Sequence, residues 1–467
     1  MRTQGLREVY VPESAVMLFE SGDIRCRRMF MGKRKGMYLW SLCLLMIFTG
    51  GCGIAGNSEI SEEIRELREP VTIRFAWWGE QARNDKTREA VELFMEKNPD
   101  ILVQTVSFPF ETYYENMDIF IETGYMPDVW QGYVGANNNF LQAGLVEPLD
   151  GYVDRGQISV DDISQNLLET GKIAGKLYGI SLGCNVKCMA VIPEYFRMAN
   201  LEIPLNGYES WEALKEDLIK MKENGTVPVA GNIFDRDFTF EHFCLQRGER
   251  KFAESEEPRI GFSRSTYVDY YRMWLSWEEA SLVPPYMDTY MSRKQPDTGE
   301  TPPEYSISFI YSNQFEKRSE SVRYKMELLP LPGMEEIGGM EIRPGSHICM
   351  SALSEQKEAA ARLIDFLIND MDANRILNAE RGMPASARVR NALLPGFNEE
   401  QQKMAELIQF AEQHSISTGQ ITSSDKSALD AGVQGGLMEE LEQQIMLRQI
   451  DPQDAYSILA EKFGEKG

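Results

Sequence analysis

Residues 71–106 read VTIRFAWWGEQARNDKTREAVELFMEKNPDILVQTV. The first part, Val71 to Ala76, is rich in β-branched and aromatic residues and predicts a strand that ends before Trp77. Apolar residues at helical spacing predict a helix from about Asp85 to Lys97. The next apolar run, Ile101 to Val106, predicts a second strand. Strand, helix and strand in succession are the unit of a parallel sheet covered by helices.

The same alternation continues downstream. A helix is predicted around Tyr113 to Thr123, and a turn entering a short strand is predicted at Met126 to Trp130. We therefore expect an α/β fold with a largely parallel sheet. Ligands in such sheets bind beyond the carboxyl ends of the strands, so the predicted loops at Trp77, Gln131 and Asn185 should face one cleft.

The region 201–300 is predicted to be mostly helical. Its aromatic residues at spacings of three and four predict a core stripe, with ligand binding as the alternative: Tyr267, Tyr270, Tyr271, Trp274 and Trp277. Residues 292–304 are polar and proline-rich and predict a surface loop. Two later amphipathic helices are predicted at Lys357–Asn369 and Asp451–Phe463, the second with Asp451 as N-cap and Pro452 in its first turn.

The composition favours a large acidic body. The chain has 467 residues, 43% of them hydrophobic, which is enough for two or three domains or one two-lobed body. Its net charge is −24, and such a surface repels phosphate backbones, so nucleic acid is not an expected partner.

Cysteine and histidine usage argues against a metal site. The seven cysteines are scattered: Cys26, Cys43, Cys52, Cys184, Cys188, Cys244 and Cys349. Cys184 and Cys188 have no second pair of ligands nearby in the sequence, and the chain holds only three histidines. Buried free thiols are the expected state, with one disulfide as the alternative, and neither metal nor cofactor is expected.

The N-terminal region carries a secretion signal. Residues 37–48 are mostly apolar and uncharged, and Lys33-Arg34-Lys35 stands just before them. That length suits a signal peptide and is short for a membrane span. Thr49-Gly50-Gly51-Cys52 resembles the lipobox at which bacterial lipoproteins are cleaved and lipidated. We expect an N-terminal extension and signal peptide over 1–51, a lipid on Cys52 and a tether over 52–69; an uncleaved short anchor is the alternative.

Several segments, in their order and spacing, resemble the family 1 extracellular solute-binding proteins of ABC importers. They are Phe75–Gly79, Phe94–Ile101, Gly124–Val129, Ala143–Asp150, Gly175–Ile180, Trp211–Leu214, Leu329–Pro332, Gly338–Gly339, Lys357–Ala360 and Arg381–Pro384. The resemblance implies a two-lobed periplasmic-binding-protein-like fold of type II, with a hinge and a ligand cleft between the lobes. The first lobe would hold 65–184 and 348–388, and the second 185–347 and 389–467.

The resemblance also implies a function. The protein would be a monomer, lipid-anchored on the extracytoplasmic face of the membrane. It would capture a small solute, most naturally a sugar, for the permease subunits of an ABC importer. A lipoprotein that presents ligand to a membrane sensor is one alternative. A glycoside-acting enzyme is another, but no catalytic motif is visible, so no enzyme activity is expected.

Sugars need aromatic platforms and fixed polar groups. In the first lobe and the lobe crossing, the candidate ligand-binding residues are Trp77, Trp78, Glu80, Gln131, Tyr133, Asn185 and Lys187. One of the two tryptophans should pack inward and the other should face the cleft. In the second lobe the candidates are Asp235, Asp237, Phe238, Ser312, Phe315 and Arg343. For the first three, a solvated acidic loop is the alternative. Asp128 is expected to cap its own turn, with ligand binding as the alternative.

Overall fold

The structure is a computed structural model. It describes residues 69–134, 138–204, 206–225, 236–253, 259–288, 305–333, 339–415 and 436–464. The predicted signal peptide, Cys52, Asp235 and the predicted loop at 292–304 lie outside these ranges, as do the side chains of Asp237 and Phe238. Within the ranges, no helix combines the length and apolar character that crossing a bilayer requires.

The described strands form one large sheet and one small hairpin. They are β1 (Val71–Trp78), β2 (Ile101–Phe108), β3 (Val129–Gly132), β4 (Lys172–Ile173), β5 (Lys176–Leu177), β6 (Ile180–Val191), β7 (Ile307–Tyr311), β8 (Glu327–Pro330), β9 (Ile342–Met350) and β10 (Met383–Pro384). The large sheet has the order β10-β6-β9-β3-β1-β2, and β7 and β8 also pair with β6. Strands β4 and β5 pair only with each other.

Helices cover this sheet. They are α1 (Gln81–Lys97), α2 (Phe110–Thr123), α3 (Asn138–Gln142), α4 (Asp150–Asp154), α5 (Gln165–Glu169), α6 (Pro193–Met198), α7 (Trp211–Glu223), α8 (Arg236–Leu245), α9 (Arg264–Glu279), α10 (Phe315–Glu320), α11 (Lys357–Asn369), α12 (Met371–Leu377), α13 (Ala387–Leu393), α14 (Glu399–His414), α15 (Leu437–Met446) and α16 (Pro452–Phe463). The prediction for α11 is confirmed. So is the start of α16, where the Asp451 side chain accepts a hydrogen bond from the backbone N–H of Gln453.

The prediction of a largely parallel sheet is wrong. Strand β1 is parallel to β2 and β3, but β9 is antiparallel to both β3 and β6. Strands β7, β8 and β10 are also antiparallel to β6. The reason is that β6 and β9 are long strands running in opposite directions, so the sheet is parallel only where βα units follow one another.

The strands extend further than the sequence predicted. Strand β1 continues through Trp77 and Trp78, which pair with Ser107 and Phe108 of β2. Gln131 and Asn185, predicted in loops, lie on β3 and β6. Tryptophan fits a pleated surface well, and the parallel partner supplies the hydrogen bonds that keep β1 extended.

The buried residues form three clusters, and residues of the sheet contribute to all three. On β1, Ile73 and Trp77 belong to the first cluster, whereas Trp78 belongs to the third. The second cluster holds the aromatic stripe of α9, and the prediction that this stripe is core is confirmed. We call these residues, together with Trp211, the aromatic core: Tyr267, Tyr270, Tyr271, Trp274 and Trp277.

Strand β6 contributes to two of these clusters. All its residues are buried. It contributes Cys184 and Val186 to the first cluster but Met189 and Val191 to the second. The expectation of free buried thiols is confirmed for Cys184, Cys188, Cys244 and Cys349. Burial raises the pKa of the Cys184 thiol to about 12, which keeps it unreactive.

Candidate ligand-binding cleft

The floor of the cleft follows from strand register. Gly132, the last residue of β3, pairs with His347 of β9. The residues of β9 that precede His347 therefore extend past the carboxyl end of β3. There they pair with β6, and Asn185 lies opposite Arg343. This stretch of β6 and β9 lies where a ligand would bind in an α/β sheet.

An ion network occupies the second-lobe side of the floor. Lys187 Nζ lies 3.2 Å from Glu241 Oε2 and 3.1 Å from Glu341 Oε2. Arg343 lies 3.2 Å from the same Glu241 oxygen and 3.0 Å from that of Glu341. Its Nη1 donates a hydrogen bond of 2.9 Å to the Tyr311 hydroxyl. Burial opposes the charge on Lys187, but Glu341 and Glu241 hold its pKa above the ordinary value.

The charges within this network balance. Two carboxylates face two cations, so each buried charge has a partner and the cost of desolvation is offset. The Lys187 side chain is 4% exposed, whereas that of Arg343 is 39% exposed. Arg343 is therefore the member that can reach a ligand, and Lys187, Glu241 and Glu341 fix its position.

Aromatic rings line the first-lobe side at the ends of β1, β2 and β3. We call them the aromatic wall: Trp78, Phe110, Tyr113, Tyr114 and Tyr133. The Trp78 ring centroid lies 5.6 Å from that of Phe110 and 5.4 Å from that of Tyr133. The Tyr133 hydroxyl donates a hydrogen bond of 2.9 Å to the carbonyl of Gly345, which ties the wall to the floor.

The wall members differ in exposure. Phe110 is 51% exposed and Trp78 is 5% exposed. Trp77 is fully buried in the first cluster, and its Nε1 donates to Asn84 Oδ1 at 2.8 Å. Phe110 was not among the predicted ligand-binding residues, because the second strand was predicted to end at Val106, two residues before its actual end at Phe108. A strand extended to Phe108 would have placed Phe110 directly beyond the carboxyl end.

A second polar group lies beneath the wall. Gln131 is fully buried, and its Oε1 accepts a hydrogen bond of 3.0 Å from Arg381 Nε. Arg381 Nη2 also donates to Thr87 Oγ1 at 2.8 Å. Burial lowers the pKa of Arg381 to about 9, and the positive charge of Arg83 acts in the same direction. Arg381 thus remains charged at neutral pH.

A polar cavity of about 330 Å³ opens beside these groups. Arg83 and Lys86 of α1 border it, together with Asn185 on the floor and Glu380 in the turn before β10. Burial raises the pKa of Tyr133, while the positive charges of Arg83 and Arg343 oppose that rise. Arg83 and Arg343 therefore both act on one wall residue.

The remaining predicted residues have structural contacts. The Ser312 hydroxyl accepts a hydrogen bond from the backbone N–H of Val186, and Phe315 is fully buried in the first cluster. Glu80 is exposed and stands as the N-cap residue of α1. The prediction that Asp128 caps its own turn is wrong, because its carboxylate accepts from the backbone N–H of Arg74 and from the Ser354 hydroxyl.

The structure therefore brings several predicted residues together around one floor: Trp78, Gln131, Tyr133, Asn185, Lys187 and Arg343. No group of three or more His, Cys, Asp or Glu side chains in the described ranges could hold a metal ion. Aromatic faces beside fixed polar groups suit a hydroxylated organic ligand.

Two α/β lobes that share crossing strands, with a cleft at the crossing, define the class of two-lobed periplasmic solute-binding proteins. Residues 78–246 match the family model described as bacterial extracellular solute-binding protein. The resemblance found in the sequence is thereby confirmed.

Individual relatives agree with this class. A protein of Brucella abortus (strain 2308), named as a binding protein, is 22% identical over 291 residues, which are 60% of this chain and 67% of the relative. A family 1 extracellular solute-binding protein from Alicyclobacillus acidocaldarius is 21% identical with a TM-score of 0.71, covering 85% of this chain and 98% of its own. A periplasmic oligogalacturonide-binding protein from Yersinia enterocolitica is 21% identical with a TM-score of 0.70, covering 84% and 98%. At these identities the structural likeness establishes the fold alone.

Proposed function

We propose that this protein is an extracytoplasmic lipoprotein that captures a sugar or oligosaccharide and delivers it to the permease subunits of an ABC importer. The observation that carries the proposal is the meeting of the aromatic wall with the polar floor where the lobes join. Phe110, which packs against the buried Trp78, offers apolar ring surface to sugar C–H groups. Asn185 and Arg343 offer hydrogen-bonding groups at the same place.

Closure of the two lobes on a ligand would connect binding at this cleft with delivery to an importer. A ligand that contacts both lobes favours the closed form by its differential affinity for the two forms, and closure distinguishes loaded from empty protein. An importer needs that distinction. The oligogalacturonide-binding relative from Yersinia enterocolitica supports a saccharide as the solute.

A thermal-shift screen of mono- and oligosaccharides tests the proposal. Stabilisation grows as RT ln(1 + [L]/Kd), so a ligand at about 1,000 times its Kd raises the free energy of unfolding by about 4 kcal/mol. Small-angle scattering should then show a more compact particle with the same ligand. If a broad carbohydrate panel stabilises nothing, while amino acids or peptides do, the sugar assignment is wrong.

Membrane attachment needs its own test. We expect metabolic labelling with a fatty acid to mark the full-length protein and the Cys52→Ala variant to remain unlabelled. Cys43→Ala is the matched control, because Cys43 lies within the apolar run before the lipobox and should leave labelling unchanged. Labelling of Cys52→Ala at the normal level would contradict the proposed anchor.

A further inference from the structure

Two cations and two carboxylates line the cavity beside the cleft floor, and Arg381, which lies between the lining residues Glu380 and Gly382 in the chain, adds one positive charge in excess. Arg83, Lys86 and the neighbouring Arg381 are cationic, whereas the carboxylates that line the cavity are Glu380 and Glu316. Glu316 Oε1 already accepts a hydrogen bond of 2.6 Å from Asn398. This excess stands out because the chain as a whole carries a net charge of −24.

Arg381 is the clearest source of the excess. It is 7% exposed, and its guanidinium donates to the neutral groups of Gln131 and Thr87. Within the described residues it forms no ion pair with a carboxylate. A buried cation without a counter-ion is costly. The positive charge of Arg381 therefore favours a negatively charged group in the neighbouring cavity.

Arg83 directs a similar charge at the cavity itself. Its Nη2 donates to the backbone carbonyl of Glu380 at 3.0 Å, and the nearest Glu380 carboxylate oxygen lies 3.6 Å from Nε. The buried Nε makes no hydrogen bond with the described part of the chain. Lys86 lies 3.7 Å from the same Glu380 carboxylate, so one carboxylate serves two cations.

Asn185 adds a complementary acceptor on the floor. It is 8% exposed, and its Oδ1 accepts no hydrogen bond from any described residue. A buried amide oxygen without a donor is costly, and a sugar hydroxyl would supply one. The cavity thus presents the cationic side chains of Arg83 and Lys86 and the unbonded acceptor of Asn185 to the same occupant.

We propose that the solute is an acidic saccharide. Arg83 and Lys86 bind its carboxylate, and one of its hydroxyl groups donates a hydrogen bond to Asn185 Oδ1. This proposal rests on the proposed function, since it names the class of sugar that enters the same cleft. A guanidinium matches a carboxylate in geometry and charge. The volume of about 330 Å³ is at the lower end of ligand sites and suits one or two sugar rings.

Calorimetric titration of the full protein with uronate disaccharides, including digalacturonate, and with their carboxyl-reduced neutral counterparts tests this proposal. We expect the uronate to bind at least tenfold more tightly, and we expect its Kd to rise with salt concentration. Arg83→Gln should weaken uronate binding by about tenfold or more and change binding of the neutral sugar by less than twofold. Lys86→Gln should also weaken uronate binding. It tests the same cavity through a second residue in case Arg83→Gln does not fold.

Arg88→Gln is the matched control. Arg88 lies on the same helix, pairs with Asp85 and donates to Ser107, outside the cavity lining. It should leave both affinities unchanged. If the neutral sugars bind as tightly as the uronates and Arg83→Gln affects both alike, the acidic class is wrong while the sugar-binding function stands. If neither set binds, the acidic class is wrong, and the broad carbohydrate panel decides whether the sugar-binding function stands.

Discussion

The aromatic core of the second lobe and the aromatic wall of the cleft contain the same types of residue in different surroundings. The five rings on α9 are between 0% and 1% exposed, and they pack against α7, α8 and α16. In the wall, Phe110 is 51% exposed and packs on one side only, against Trp78 and Tyr114. Helical spacing predicted the core, but the wall combines rings at the start of α2 with Trp78 of β1 and Tyr133 after β3, and no single local pattern brings these together.

The difference separates stability from binding. A ring enclosed on all sides has no surface left for a ligand, so its loss leaves a cavity. A ring with one open face contributes less to the free energy of unfolding and keeps that face available for stacking. The comparison therefore predicts folding defects from one cluster and binding defects from the other.

The largest effect is expected in the aromatic core. Trp274→Ala removes a ring that packs 4.9 Å from Trp277 and 6.0 Å from Trp211. We expect the free energy of unfolding to fall by about 3–5 kcal/mol, because the cavity is enclosed. Chemical denaturation measures this loss, and titration of the folded fraction should return the wild-type Kd. A normal midpoint with a weakened Kd would instead assign the ring to the ligand site.

The next effect is a pH dependence of the free energy of unfolding, which arises from a histidine packed against the aromatic core. His242 packs 6.3 Å from Trp211, and burial lowers its pKa to about 4. The unfolded chain binds a proton below about pH 6.5, whereas the folded chain does so only near pH 4. Stability should therefore be full above pH 6.5. It should decrease by about 2–3 kcal/mol as the pH falls through this window.

Replacing the imidazole tests that assignment. His242→Gln should reduce the pH dependence of the free energy of unfolding between pH 6.5 and 4, and part of the slope should remain because burial lowers the pKa of His347 to about 3. His414→Gln is the control, since that ring stacks on Phe410 at the end of α14 and is only half-buried. An unchanged slope in His242→Gln would show that another group, such as the buried His347, dominates acid sensitivity.

The smallest effect is expected in the wall. Phe110→Ala should weaken binding of the identified saccharide by about 1–2 kcal/mol through loss of one stacking face. The free energy of unfolding should change by less than about 0.5 kcal/mol, because half of the ring is already in solvent. Isothermal titration and denaturation on the same variant measure the two quantities.

Tyr125→Ala is the matched control for the wall. Tyr125 is an aromatic residue of the same lobe, 58% exposed, and it packs under Arg74 away from the wall. It should leave the affinity unchanged, and Phe110→Tyr should restore it. Equal affinities in Phe110→Ala and the wild type would show that the solute does not stack on this ring.

Much of the fold was predictable because local patterns determine it. The strand–helix–strand unit, α11 and the cap at Asp451 depend on residues close in sequence. The antiparallel course of β9 was not predictable, because its partner strands β3 and β6 lie far away in the chain and nothing in the local pattern indicates direction.

The candidate site divides in the same way. Trp78, Tyr133 and Asn185 were predicted from their places next to strand ends, and they do surround one floor. Glu241, Glu341 and Arg381 were missed because their importance comes from partners tens or hundreds of residues distant, such as Lys187 and Gln131. Which tryptophan packs inward was left open by the sequence, and the alternation of β1 places Trp77 there.

Strand β6 has a consequence for how the molecule unfolds. Its residues are shared between two clusters of the core, with Val186 in one and Val191 in the other. If either cluster unfolds, this fully buried strand becomes exposed and the backbone hydrogen bonds along it are broken, so the other cluster is destabilised as well. The two lobes should therefore behave as one cooperative unit in calorimetry, with a van't Hoff enthalpy equal to the measured heat. A ligand held by the floor would then protect both lobes equally from local opening.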